Sequence, residues 1–166
     1  MKKTENTGFR TSRGYQMISQ QEGDLSASME DYLEMIYREC SQNGYSRVGR
    51  ISEMLHVKPS SASKMIFKLA DMGYLKYDRY EIIQMTADGK KAGKFLLHRH
   101  TVIAEFLQLV GSPNVLEETE LVEHSLSAST VESLQILVEF FHSDLQAMSH
   151  YIKMKQDKQG DQKAGV

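Results

Sequence analysis

The chain has 166 residues, 40% of them hydrophobic, with 20 Lys and Arg against 22 Asp and Glu. That length holds one domain of ordinary size, or two small ones that share a core. No apolar run approaches the roughly 18 residues of a membrane helix, and the N-terminal segment lacks the apolar stretch of a signal peptide. The single cysteine, Cys40, excludes an internal disulfide and is interpreted as a packing residue on a helix. We therefore expect a cytoplasmic protein that does not associate with a membrane.

The small net charge of −2 hides an uneven distribution along the chain. Between Tyr45 and His100 there are eleven Lys and Arg against five Asp and Glu, a net of +6. Between Thr101 and Asp144 there are eight acids and no Lys or Arg. The first stretch is therefore suited to a polyanion such as DNA, and the second to cations.

Residues 1–26 mix Thr, Ser, Gln and Gly with scattered charge and show no apolar period, so we predict a flexible N-terminal arm. Basic residues in this arm leave open a role in touching DNA. The first helix is predicted to begin with Ser28 as its N-cap and Asp31 in its first turn, and to end at Asn43 and Gly44.

Two short helices joined by a tight turn are predicted next, at 47–57 and 60–72. Pro59 is tolerated in the first turn of the second helix, and Gly73 ends it. Small hydroxyls let a helix sit deep in the major groove, and lysines reach phosphates or guanine edges. A solvated helix face has a similar composition, but the pattern favours a helix-turn-helix. The candidate DNA-binding residues are Lys58, Ser60, Ser61, Ser63, Lys64 and Lys68.

Two β-rich runs at 74–77 and 82–86 flank a polar tip and predict a hairpin directly after the second of these helices. Arg79 lies at the tip, within reach of a phosphate or the minor groove, and joins the candidate DNA-binding residues. Thr86 is predicted to N-cap the next helix, which runs on from Lys90 to about Val110. The sequence therefore predicts a winged-helix DNA-binding domain at 27–93, with double-stranded DNA as its partner.

The remainder is predicted to be helical at 94–156, with further helices at 129–141 and 143–154 and a flexible tail at 157–166. The expected fold class is mainly α: an N-terminal winged helix-turn-helix followed by an all-helical domain. The apolar faces of the last helices suit either a core or an interface. We favour a homodimer, because helix-turn-helix proteins usually read two half-sites.

Three short clusters carry candidate metal ligands. Residues three or four apart share one face of a helix, which places Glu120, Glu123 and His124 together and Asp31 beside Glu34. If these clusters meet His100, the site holds four carboxylates and two imidazoles, a set suited to hard or borderline divalent metals. The alternatives are a solvated acidic helix face at 120–124, an acid at Asp31 that favours the helix dipole, and a hydrogen-bonding histidine at 100.

The order and spacing of these motifs resemble the diphtheria-toxin-repressor family, in its manganese-responsive branch. The resemblance rests on residues 28–34, 59–61, 86–91, 99–100 and 120–124. In that family, residues matching Asp31, Glu34, His100, Glu120, Glu123 and His124 form a two-metal site. Iron-sensing members have a Met and a Cys at the positions of Asp31 and Glu120, so the oxygen donors here imply Mn²⁺, two per subunit. The arm is longer than in the family, Ser125 replaces a histidine of some members, and we expect no additional SH3-like domain.

The resemblance implies a homodimeric repressor that binds operator DNA when Mn²⁺ is plentiful and controls manganese homeostasis, through uptake genes. An iron- or zinc-responsive repressor of the same family is the alternative, and so is a winged-helix regulator that senses an organic ligand. A metallohydrolase would need a zinc-protease HxxEH motif, and this chain has Glu120 in place of its first histidine. We therefore do not expect an enzyme.

Overall fold

The fold is known from a computed structural model, which describes residues 25–78 and 82–164. The chain divides into two compact units, with the boundary between Leu97 and His98. Most of the N-terminal arm predicted at 1–26, Arg79 and the last two residues of the predicted tail lie outside the described residues. The predicted mainly helical fold class is confirmed.

The first unit contains three helices and three strands of the described chain, followed by the start of a long helix. In chain order they are α1 (Ala27–Asn43), β1 (Ser46–Arg47), α2 (Val48–Met54), α3 (Pro59–Asp71), β2 (Leu75–Tyr77), β3 (Ile82–Met85) and α4 (Ala87–Val110). The strands form an antiparallel sheet in the order β1–β3–β2. A helix-turn-helix followed by a hairpin is therefore present, as predicted.

Helix α1 is capped by a different serine from the one predicted. The Met29 amide donates to the Ser26 hydroxyl oxygen at 3.3 Å, and the backbone of Ser26 is extended, as an N-cap requires. The prediction of Ser28 as the cap was wrong, and Asp31 therefore lies beyond the first turn. The predicted end is confirmed: Gly44 has a left-handed φ of 79° and its amide donates to the Cys40 carbonyl.

The core of the first unit joins its helices to the inner face of the sheet. Its fully buried side chains include Leu33, Ile36, Ile51, Ile66, Leu69 and Ile83. Cys40 packs into this core, as predicted, with its Sγ 3.8 Å from the Ile83 carbonyl oxygen. Burial raises the pKa of the Cys40 thiol to about 11. The cysteine is therefore a packing residue that stays protonated at neutral pH.

One hydroxyl ties the start of α4 to the base of the hairpin. The Gly89 amide donates to Thr86 Oγ1 at 3.0 Å, which confirms the predicted N-cap. The same hydroxyl lies 2.7 Å from the Gly73 carbonyl oxygen and 3.0 Å from that of Tyr74, and donates to them. A Cβ at Gly89 would overlap the Tyr74 carbonyl oxygen, so only glycine lets the helix approach the strand this closely.

The second unit is helical throughout its regular elements. After the remainder of α4 come α5 (Val115–Val122), a 3₁₀ turn (Glu123–Ser125), α6 (Ala128–Ser143) and α7 (Leu145–Ala164). The Phe141 and Tyr151 rings, 5.3 Å apart between centroids, join α6 to α7. Helix α7 continues past Met154, where the sequence predicted its end, because its polar residues form helix well but show no apolar period. None of the helices in the described ranges combines the length and apolarity needed to cross a bilayer.

Candidate metal centre

The centre of the candidate site is a buried carboxylate in the second unit. Glu123, in the 3₁₀ turn, is only 2% exposed, and its Oε2 lies 3.1 Å from Nδ1 of His100 on α4. The His100 side chain is itself 13% exposed. A carboxylate with so little water around it needs positive charge or hydrogen bonds nearby, and the imidazole supplies the first of these contacts.

Glu120 and His124 flank this pair. Glu120 Oε1 lies 3.9 Å from the same His100 nitrogen, and His124 Nε2 lies 3.9 Å from Glu123 Oε1. The Glu120 side chain is 53% exposed, so this acid lies at the open edge of the cluster. Four of the six residues predicted as ligands therefore lie together within the second unit.

The backbone brings these residues together differently from the way the sequence predicted. The spacing argument assumed one α-helix through Glu120, Glu123 and His124, but α5 ends at Val122 and the last two lie in the 3₁₀ turn. Glu120 still lies in α5, and Glu123 follows its last residue directly with helical dihedral angles, φ −60° and ψ −36°. The cluster survives the change of pitch because Glu120 and Glu123 are three residues apart.

Arg99 holds the second imidazole, a role that the sequence reasoning did not assign. Its side chain is 3% exposed, and its Nη2 donates to His124 Nδ1 at 3.2 Å. A guanidinium is only a donor, so this bond uses the lone pair of Nδ1 and favours the tautomer with its proton on Nε2. The sequence feature that could have indicated this role is the position of Arg99 directly before His100. The sequence analysis used Arg99 only as part of a family motif.

The other two predicted ligands lie on α1 in the first unit. Glu34 is 7% exposed, and its Oε1 accepts from Arg38 Nε at 2.9 Å and Nη2 at 2.6 Å. Both bonds end on one oxygen, so Arg38 orients the carboxylate without engaging Oε2. Asp31 is half-buried and lies three residues before Glu34, on the same face of the helix.

The donor set fits a first-row divalent metal. Carboxylate oxygens are hard donors and imidazole nitrogens are borderline, which matches Mn²⁺, Fe²⁺ and Zn²⁺. The only thiol of the chain, Cys40, belongs to the core of the first unit. The residues of the second-unit cluster that would hold such an ion are His100, Glu120, Glu123 and His124.

The candidate DNA-binding residues lie at the start and along one side of α3. Ala62, Ile66 and Leu69 are fully buried on its inner side. Six of the candidate DNA-binding residues lie away from this buried side. They are exposed or, for Ser63, half-buried: Lys58, Ser60, Ser61, Ser63, Lys64 and Lys68. Arg79, proposed for the wing tip, lies outside the described residues.

Comparisons with known protein families identify the family to which this chain belongs. The family model "Iron dependent repressor, N-terminal DNA binding domain" matches residues 24–82. The model "Iron dependent repressor, metal binding and dimerisation domain" matches residues 86–150. The chain belongs to the iron-dependent repressor family. The resemblance to metal-dependent repressors is thus confirmed, and this member of the iron-dependent repressor family is a DNA-binding transcriptional regulator with a metal-binding domain, not an enzyme.

The chain is also similar to individual regulators, two of them named MntR and one described as a manganese regulator. The HTH-type transcriptional regulator MntR of Oceanobacillus iheyensis is 41% identical over 119 residues, which are 70% of this chain and 81% of that one. MntR of Bacillus pumilus is 38% identical over 140 residues, 82% of this chain and 97% of that one. The solved structure of the manganese regulator SloR is 28% identical, with a TM-score of 0.59 over 68% of this chain and 54% of that one. The chain thus spans about half the length of that solved protein.

Proposed function

We propose that the chain is a cytoplasmic, Mn²⁺-activated, homodimeric repressor that binds operator DNA and lowers the expression of manganese-uptake genes. The observation that carries the proposal is the buried Glu123 carboxylate with the His100 and His124 imidazoles 3.1 Å and 3.9 Å away. A buried acid between two imidazoles is costly as a purely structural arrangement, whereas it is ordinary for a metal site.

The proposed ligand set adds Asp31 and Glu34 of α1 to the four residues of the second-unit cluster, and holds two Mn²⁺ per subunit. Oxygen donors at Asp31 and Glu120 favour Mn²⁺ over metals that prefer thiolate or thioether ligands. The names of the O. iheyensis, B. pumilus and SloR relatives support the same metal. Arg38 would hold Glu34 before the ions arrive, whereas the Arg99 bond to His124 Nδ1 would have to be released for His124 to offer that nitrogen to an ion.

Metal activation follows from charge. Carboxylates crowded into one site repel one another, and a unit-charge pair about 4 Å apart is worth roughly 4 kcal/mol at an effective dielectric near 20. Bound Mn²⁺ supplies the positive charge that turns this repulsion into attraction. Because α1 leads directly into the helix-turn-helix, ligands shared between α1 and the second unit would restrict the movement of the DNA-binding part. The dimer would then favour the spacing that matches successive major grooves.

The dimer interface is proposed to lie on exposed apolar side chains of the second unit. On α6, Ile136 is 68% exposed and Phe140, four residues later on the same face, is 50% exposed. On α5, Leu116 and Leu121 are 68% and 71% exposed. Large exposed apolar side chains favour a protein interface, and a second copy of the same surface is the partner that a two-fold symmetric repressor requires.

The proposal is tested by fluorescence anisotropy with a labelled promoter fragment from a manganese-uptake gene, at one fixed salt concentration. Mn²⁺, Fe²⁺ and Zn²⁺ are titrated in separate arms, each with a chelator control. We expect tight binding that appears with Mn²⁺ and is lost on chelation. Stronger activation by Fe²⁺ or Zn²⁺ would make this an iron- or zinc-responsive repressor, and binding indifferent to metal would refute the switch.

A further inference from the structure

A large aromatic side chain is exposed on the helix that is expected to enter DNA. Phe67, on α3, is 65% exposed, while Ile66 and Leu69 beside it in the sequence are fully buried. A phenylalanine exposed to water lacks the favourable free energy of burying its ring, so a binding partner that covers Phe67 would be stabilised by that burial.

Phe67 belongs to the outward face of α3, where it lies between Ser60 and Ser63. At about 100° per residue, it lies roughly 20° around the helix axis from Ser60, 40° from Ser63 and 60° from Lys64. It therefore lies beside the two serines, while Lys68 and Ser61 lie about 100° and 120° away across the same face. The fully buried Ala62 and Leu69 lie about 140° and 160° from Phe67 around the axis, on the inner side of the helix.

The neighbours of Phe67 indicate which molecule covers it. Lys64 and Lys68, one turn before it and directly after it, are exposed and carry positive charge, which suits a polyanion. Ser60 and Ser63 are small, so the helix can approach a groove without obstruction. An exposed aromatic ring among lysines and serines is typical of a surface that meets nucleic acid, whereas a protein-covered face would carry further apolar residues.

We propose that Phe67 contacts the 5-methyl group of a thymine in the major groove and thereby determines part of the operator sequence. The thymine methyl is the apolar group that base edges display in this groove, and phenylalanine is one of the side chains that recognise it. The lysines hold the backbone, and the serines leave room for the approach. The inference rests on the DNA-binding function of the chain but not on the identity of the activating metal.

The test removes the methyl group from the DNA and the ring from the protein. Operator duplexes are first obtained by in vitro selection with the full, Mn²⁺-supplied protein, and each thymine of one half-site is then replaced by deoxyuridine. For the unmodified protein we expect one thymine whose replacement weakens binding about fourfold, the equivalent of burying one methyl group. For Phe67→Ala the same replacement should change affinity by less than about 1.5-fold, and for Phe67→Leu the dependence should persist in part.

Met72→Ala is the matched control, because Met72 is also an exposed apolar residue of this segment, 41% exposed, but lies past the end of α3. This variant should keep the full fourfold dependence on the thymine. Equal dependence in Phe67→Ala and in the unmodified protein would overturn the proposal, as would the absence of any sensitive thymine. Failure of the metal switch is recognised separately, since it appears as equal binding of the unmodified protein with and without chelator.

Discussion

Replacing Glu123 by glutamine tests the metal centre with almost no change of shape. The side chain is 2% exposed and its Oε2 lies 3.1 Å from His100 Nδ1, so water screens the carboxylate poorly. Glutamine keeps one oxygen donor and removes the negative charge. We expect Glu123→Gln to lose most of its affinity for Mn²⁺ and, with it, metal-dependent DNA binding.

The size of the effect follows from the charge that is lost. A unit-charge pair about 4 Å apart at an effective dielectric near 20 is worth roughly 4 kcal/mol, which is close to a thousandfold in Kd, so we take about 100-fold as the smallest increase expected. At a Mn²⁺ concentration of about 100 times the unmodified Kd, one bound ion adds about 2.7 kcal/mol to the free energy of unfolding. A Kd raised about 100-fold reduces that gain to about 0.4 kcal/mol.

The assay is thermal unfolding followed by circular dichroism, with and without Mn²⁺. For a chain of this size, about 1 kcal/mol corresponds to roughly 2–4 °C in Tm. The Mn²⁺-induced rise should therefore fall from about 5–10 °C in the unmodified protein to about 1–2 °C in Glu123→Gln. Glu117→Gln is the control, because Glu117 is an exposed acid on α5 outside the proposed ligand set.

The refuting result is a Glu123→Gln variant that keeps its helical spectrum and at least half of the Mn²⁺-induced rise in Tm. The buried carboxylate would then serve folding alone, and the ion would bind elsewhere. A loss of the rise in Glu117→Gln as well would point instead to a diffuse effect of the acidic segment.

Three further predictions concern the interface, the packing of α4 and the thiol. Ile136→Glu, on the exposed face of α6, should shift the protein from dimer to monomer in sedimentation experiments while the helical spectrum stays unchanged. Gly89→Ala should lower the urea-derived free energy of unfolding by about 2–3 kcal/mol, because the new Cβ overlaps the Tyr74 carbonyl, whereas Gly49→Ala, with open space around it, should not destabilise. The pKa of the Cys40 thiol is raised to about 11 in the folded protein, so the thiol of the unfolded chain ionises at a lower pH. The stability that this group contributes is therefore present below about pH 9 and is lost as the pH rises towards 11. Denaturant titrations across that pH range measure the loss as a fall in the free energy of unfolding. A Cys40 that reacts with a thiol reagent at pH 8 as fast as the unfolded chain does would contradict this burial.

The elements that sequence reasoning found are those with a strong local signal. The apolar period of α3, the β-rich runs of the hairpin and the threonine at 86 each act through neighbours in the chain, so their structures could be predicted. Strand β1 has only two residues, Ser46–Arg47, and pairs with β3 across the hairpin, so no pattern within it reveals the pairing. The helix predicted from 47 was therefore too long at both ends.

The candidate site shows the same division. Spacing and residue type were enough to select His100, Glu120, Glu123 and His124, because metal ligands are a restricted chemical set. The contact between Arg99 and His124 joins residues far apart in the chain, and nothing in the residue type of a single arginine predicts it. Phe67 was not predicted as a DNA-binding residue, because sequence patterns assign an aromatic residue in a helix to the core. Only its exposure in the structure shows that it lies on the surface.

The Thr86 hydroxyl has a consequence for the order in which the molecule folds. Its bonds to the Gly73 and Tyr74 carbonyls close the hairpin over 13 and 12 residues. Short loops close quickly and at low entropic cost, so the hairpin and the start of α4 should form early, from contacts that include none of the proposed metal ligands. The hairpin and the start of α4 would then form independently of any ion. Metal binding would act on these elements after they have formed.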